Sequence, residues 1–122
     1  MMWEVRYIDE ALKDLDKLDA FLRKMVLAGI KKASQNPLPQ SEGGYGKPLG
    51  NKNGNNLVGF LKIKYKKIGI RVVYSLVRDK QVMNIIVVSK REDDTCYEEA
   101  EKRKREYKEK LFEDLFRSIS DR

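Results

Sequence analysis

The chain has 122 residues, 41% hydrophobic and 37% charged, which is enough for one compact core but not for two. It contains no histidine, so any acid–base chemistry must run on lysine, arginine, tyrosine or carboxylates, and nuclease designs that depend on histidine are excluded. The formal net charge is +7, and residues 45–91 hold eleven Lys and Arg against one acid, Asp79; this cationic middle favours nucleic acid or an acidic protein as partner.

Trp3, Val5 and Tyr7 alternate with Glu4 and Arg6, which predicts an opening strand from Trp3 to Ile8. Asp9 reads as an N-cap, and Ile8, Ala11, Leu12, Leu15 and Leu18 then follow helical spacing. Phe21, Leu22, Met25, Val26 and Ile30 mark a second helix, which must stop before Asn36-Pro37 because the residue preceding proline disfavours the helical region. The short break near Leu18 to Ala20 makes the two a helical hairpin.

From Asn36 to Asn56 the chain is rich in Gly, Asn, Pro and Ser and is expected to be a long loop, a length usually functional or mobile beyond ~12–15 residues. Three strands are then expected at Leu57–Lys66, Ile70–Arg78 and Val82–Ser89, joined by linkers short enough for an antiparallel meander. Alternation places Leu61, Ile63 and Tyr65 on one face with Ile70, Val72, Tyr74 and Leu76, which suits core packing. Lys62, Lys64 and Lys66 share the other face. A short turn between Lys67 and Ile68 sets Lys64 opposite Arg71, a like-charge pair that destabilises by up to ~1 kcal/mol. Such a cluster reads either as a functional site or as ordinary solvated lysines.

Thr95 and Glu98 have the spacing of a capping box, which predicts a last helix reaching about Arg117. Its apolar end, Leu111, Phe112, Leu115 and Phe116, either docks on the domain or contacts a partner. Tyr97 suits either core packing or a site role. The single cysteine, Cys96, cannot form an internal disulfide, and without a histidine to activate it is a poor nucleophile. No cluster of ligand types suggests a metal, and no cofactor is implied. With no signal-like opening and apolar runs no longer than Ile85–Val88, the expectation is a cytoplasmic protein without a membrane span.

Several blocks resemble the RelE branch of the RelE/ParE superfamily, the toxins of type II toxin–antitoxin systems. These are residues 9–18, Lys47-Pro48-Leu49, Leu57-Val58-Gly59, Lys62-Ile63-Lys64, residues 69–74, Val88-Ser89-Lys90-Arg91-Glu92 and Tyr97. The resemblance covers about residues 2–103. It implies an α+β fold in which an N-terminal helical hairpin packs on a small, mainly antiparallel twisted sheet, as one domain over residues 1–122. An extended C-terminal helix would add residues from about 104 to 122.

The activity it implies is ribosome-dependent, metal-independent cleavage of mRNA in the A site by attack of the ribose 2′-hydroxyl. In that reading Lys64 is the general base, and the neighbouring cations favour its neutral form. Arg71 holds phosphate oxygens bidentately, and Lys62 adds charge. Arg91 takes the leaving-group side, where charge stabilisation suits a guanidinium better than proton donation. Tyr97 orients the attacking group or stacks on a base. Lys47, Lys52, Lys66, Lys67 and Lys90 would contact RNA.

Two departures from the family pattern stand out: Val58 and Leu61 where relatives often carry arginine and tyrosine, and Ser89 where a glycine is frequent. The partners implied are the ribosome, mRNA and an antitoxin that wraps the toxin and covers its basic face, with a heterotetramer as one assembly. The alternatives are a ParE-like DNA gyrase poison, whose chains generally lack the paired strand lysines, and a non-catalytic RNA- or ribosome-binding module.

Overall fold

The computed structural model describes residues 2–52, 54–90 and 93–119. A five-stranded sheet is formed by β1 (Glu4–Tyr7), β2 (Lys47–Lys52), β3 (Asn55–Tyr65), β4 (Ile70–Val77) and β5 (Val82–Ser89), in the order β1-β5-β4-β3-β2. Strand β1 runs parallel to β5, and the other pairs are antiparallel. The predicted strand starts and ends hold to within two residues, because each strand alternates between two covered or half-covered faces.

Helices α1 (Asp9–Asp16) and α2 (Ala20–Ala33) form the expected hairpin against one face. Asp9 is the first helical residue rather than the cap; that position falls to Ile8, which has no side-chain oxygen to offer. The effective cap is Asp19 of α2, whose carboxylate accepts from the Leu22 amide at 2.9 Å. Arg23 fastens the hairpin by donating to the Leu15 carbonyl at 3.0 Å, which also accepts from the Leu18 amide at 3.1 Å, and to the Leu18 carbonyl at 2.9 Å. Under the hairpin, Leu15, Val26, Ile30, Ile70, Val72, Tyr74 and Ile85 are fully or almost fully buried. Burial pushes the Tyr7 phenol up to about 12.

The segment expected to be a long loop is mostly structured. A 3-10 turn at Gln40–Glu42 follows Pro39, and strand β2 then pairs along β3. Tyr74 donates its hydroxyl to the Pro37 carbonyl at 2.7 Å, which seats the segment on the sheet. Gly46 lies so close to that hydroxyl and to Leu61 that a Cβ would clash with both.

The last helix also departs from expectation. α3 spans Asp93–Tyr107, so Thr95 lies inside its first turn instead of capping it, and the helix ends ten residues before Arg117. Lys108 takes a left-handed φ of 55°, a 3-10 turn covers Lys108–Phe112, and the chain then continues without regular helix through a bridge at Arg117. This C-terminal strap crosses the second face of the sheet. Leu111 is fully buried, Phe112 packs at a tilt against Phe60 with ring centres 5.4 Å apart, and Phe116 meets Tyr107 edge-on at 5.6 Å. Ser75 donates its hydroxyl to the Leu111 carbonyl, while the Asn84 side-chain amide donates to the Leu111 and Glu113 carbonyls at 2.9 and 2.8 Å. The strap closes the outer edge of β1 through the Tyr7 amide, which donates to the Arg117 carbonyl at 2.7 Å.

Candidate functional site

Strand register assembles the site. Tyr65 faces the helical hairpin, so Lys64 and Lys62 point to the opposite face of β3. Lys64 pairs with Arg71, and Arg71 pairs with Ser89, forming one row across three strands. In the next row Lys47 of β2 stands opposite Lys62. Directly paired residues have Cβ atoms ~4.5–5.5 Å apart and diagonal ones ~7–8 Å, so four cationic side chains fall within reach of one phosphate group. Lys64 and Lys47 are exposed, and Lys62 and Arg71 are partly exposed.

Tyr97, in the second turn of α3, is only 2% exposed. Lys62 donates to its hydroxyl at 2.6 Å. The ammonium lies 5.3 Å from the ring centroid, which the hydrogen bond plus the ring-to-hydroxyl length accounts for. It therefore approaches along the C–O axis, and the contact is the hydrogen bond rather than a stack on the ring face. A ring this buried is not presented for stacking on a base.

The remaining expected residues divide. Lys90 follows β5 beside Ser89 and is exposed. Lys66 and Lys67 are exposed in the 3-10 turn between β3 and β4, so strand alternation no longer fixes Lys66 to the cationic face. Lys52 pairs with Asn55 at the far end of β3, seven residues from Lys62; at about 3.3 Å per residue the register does not bring it to the site. Arg91 and Glu92 lie outside the described residues.

One pair that supports the site carried no local signal in the sequence. β1 stops opposite Ile85, which leaves the second half of the β5 edge unpaired. Asp14 of α1 accepts there from the Val88 amide at 3.0 Å, and Arg103 of α3 donates to the Ile86 carbonyl at 2.7 Å. Asp14 and Arg103 then bind each other in a two-pronged contact of 2.7 and 3.1 Å. Burial disfavours the Arg103 charge, but the bonds and charges of Asp14 and Glu99 outweigh it and hold the guanidinium above its ordinary value. This lock seats α3, and with it Tyr97, on the sheet.

A helical hairpin on one face of a small sheet, with clustered cations and a buried tyrosine on the other, defines a compact α+β domain with one cationic face. The family described as the ParE toxin of the type II toxin–antitoxin system parDE matches residues 5–95, and the chain belongs to this RelE/ParE superfamily of type II toxin–antitoxin toxins. An Escherichia coli protein described as a RelE-like toxin is 29% identical over 106 residues, 86% of this chain and the whole of that protein. Among solved structures, a free double arginine-to-alanine mutant of E. coli RelE is similar with a TM-score of 0.65 and 26% identity, over 84% of this chain and 98% of that one. An E. coli RelE mutant bound to a peptide of the antitoxin RelB is similar with a TM-score of 0.60 and 25% identity, over 82% and 95%. Among the described residues no helix is long and apolar enough to cross a membrane.

Proposed function

We propose that this toxin is an endoribonuclease that cuts mRNA in the ribosomal A site and is neutralised by a cognate antitoxin. The observation that carries the reading is the cationic face, with Lys47, Lys62, Lys64 and Arg71 in two adjacent register rows and Lys62 tied to the Tyr97 hydroxyl. The similarity to RelE proteins supports it.

In this mechanism Lys64 takes the proton of a ribose 2′-hydroxyl, and that oxygen attacks the adjacent phosphorus. The P–O5′ bond breaks, the leaving oxygen gains a proton, and the products are a 2′,3′-cyclic phosphate and a 5′-hydroxyl. Arg71 and Lys62 stabilise the charge that builds on the phosphoryl oxygens, the largest single contribution such a site makes. Tyr97 positions Lys62 through its hydroxyl. Arg91 serves the leaving-group side, and Lys47 and Lys90 hold the flanking backbone.

The ParE description of the matching family favours a second reading, in which the toxin poisons DNA gyrase. End chemistry decides between the two. Mass spectrometry of fragments from programmed ribosomes should show a cyclic phosphate on the upstream piece; intact mRNA together with inhibited gyrase supercoiling would replace the first reading with the second.

A further inference from the structure

The outer face of α2 is unlike an ordinary solvated helix. Its inner side is consumed by packing: Val26, Ile30 and Ala33 are buried, and Gly29 lies against the Tyr65 ring so closely that a Cβ would clash. On the outside Phe21 is 67% exposed and Met25, one turn later, is 45% exposed, with Ala28 continuing the same row. Exposed Lys24 and Lys31 flank that row on one side, exposed Lys32 continues it, and Ala20–Ala33 contains no acidic residue. The helix therefore presents an apolar row with cations along one side and at its C-terminal end. In the C-terminal strap Leu111, Phe112 and Phe116 pack onto the domain, and only Leu115 and Ile119 stay exposed among its described apolar residues.

We infer that the outer face of α2 is a docking surface for an acidic amphipathic helix of the antitoxin, an inference that rests on the toxin–antitoxin reading. Apolar side chains of that helix meet Phe21, Met25 and Ala28, and flanking Asp and Glu meet Lys24, Lys31 and Lys32. A second copy of this chain would bring like charges together at the same face, which opposes self-association. Nucleic acid would use the lysines but gains little from an exposed thioether. Because α2 covers the Tyr65 face and Lys64 points the other way, docking here leaves the cationic face open. The antitoxin's hold on the toxin and its block of the site are then separable contacts.

The test is titration of the purified toxin with its purified cognate antitoxin, comparing wild type, Phe21→Glu/Met25→Glu and the control Leu115→Glu, which alters an exposed residue off this face. The double variant should keep its circular dichroism spectrum and its inhibition of translation, yet lose antitoxin affinity by about 100-fold, the scale of a central apolar hot spot. Lys24→Glu/Lys31→Glu should flatten the salt dependence of binding. Unchanged affinity in the double variant, with tight wild-type binding, overturns the inference and leaves the toxin reading standing. So does loss of ribosome or RNA binding at unchanged antitoxin affinity, or a wild-type dimer that the double variant dissociates. Absence of wild-type binding to the antitoxin overturns both.

Discussion

Replacing Asp14 by alanine should be among the most damaging single changes available outside the cationic face. Its carboxylate and the Arg103 guanidinium retain only 10% and 8% of their side-chain exposure. Removal leaves Arg103 buried with Glu99 at 2.9 Å and the Ile86 carbonyl as its remaining contacts, and it takes the partner of the Val88 amide away. Breaking a buried pair from one side costs about 3–5 kcal/mol, and an orphaned amide about 1–3 kcal/mol. Glu99 still compensates part of the charge, which brings the loss below the sum of the two costs, to about 3–4 kcal/mol. That is a large share of the ~5–15 kcal/mol expected for a whole domain, and for a chain of this length it lowers Tm by roughly 10–15 °C.

Urea unfolding followed by circular dichroism reads the effect as a lower midpoint at unchanged slope. Asp14→Leu combined with Arg103→Met should lose less than Asp14→Ala alone, because neither charge is then stranded. A loss below about 1 kcal/mol for Asp14→Ala would show that α3 is held to the sheet by something other than this lock.

Arg71→Ala should lower mRNA cleavage by at least ~10²-fold, the scale of one lost donor to a developing oxyanion, with an unchanged circular dichroism spectrum; unfolding of that variant would refute its placement on the cationic face. Leu111→Ala should lose about 2–5 kcal/mol, because it empties a fully buried site, whereas exposed Leu115→Ala should stay within about 0.5 kcal/mol in the same urea assay. Glu10 accepts from the Tyr107 hydroxyl at 2.5 Å. Burial pushes its carboxyl up, but that bond and the charges of Arg103 and Lys13 prevail and hold it below its ordinary value. A carboxyl lowered by folding contributes stability above its unfolded range and loses it as pH falls through the folded one. The stability gap between wild type and Tyr107→Phe should therefore be widest near neutral pH and close on acidification; a gap independent of pH would contradict the role of Glu10.

Strands β3, β4 and β5 were legible because their alternation records two faces with different surroundings, and the short β3–β4 turn leaves one register, Lys64 against Arg71. Strand β2 was not. Lys-Pro-Leu-Gly-Asn-Lys has poor strand propensity, and its hydrogen bonds come from the long neighbour β3, so tertiary pairing overrides local preference. The end of α3 misled for a related reason. The mixed-charge run through Lys110 favours helix, yet the chain breaks at Lys108 because Leu111 and Phe112 are drawn to the socket formed by Ser75, Asn84 and Phe60. Lys47 joined the site for the same reason that β2 exists. The Asp14–Arg103 lock joins residues 89 positions apart, and neither neighbourhood distinguishes it from ordinary surface charge.

Primer extension on a defined mRNA, incubated with the purified toxin with and without programmed ribosomes, tests the central claim most directly. The cationic face and its Lys64–Arg71 pair predict cuts within A-site codons that require ribosomes and vanish with Arg71→Ala. Uncut mRNA with a folded, antitoxin-free toxin on actively programmed ribosomes would contradict it.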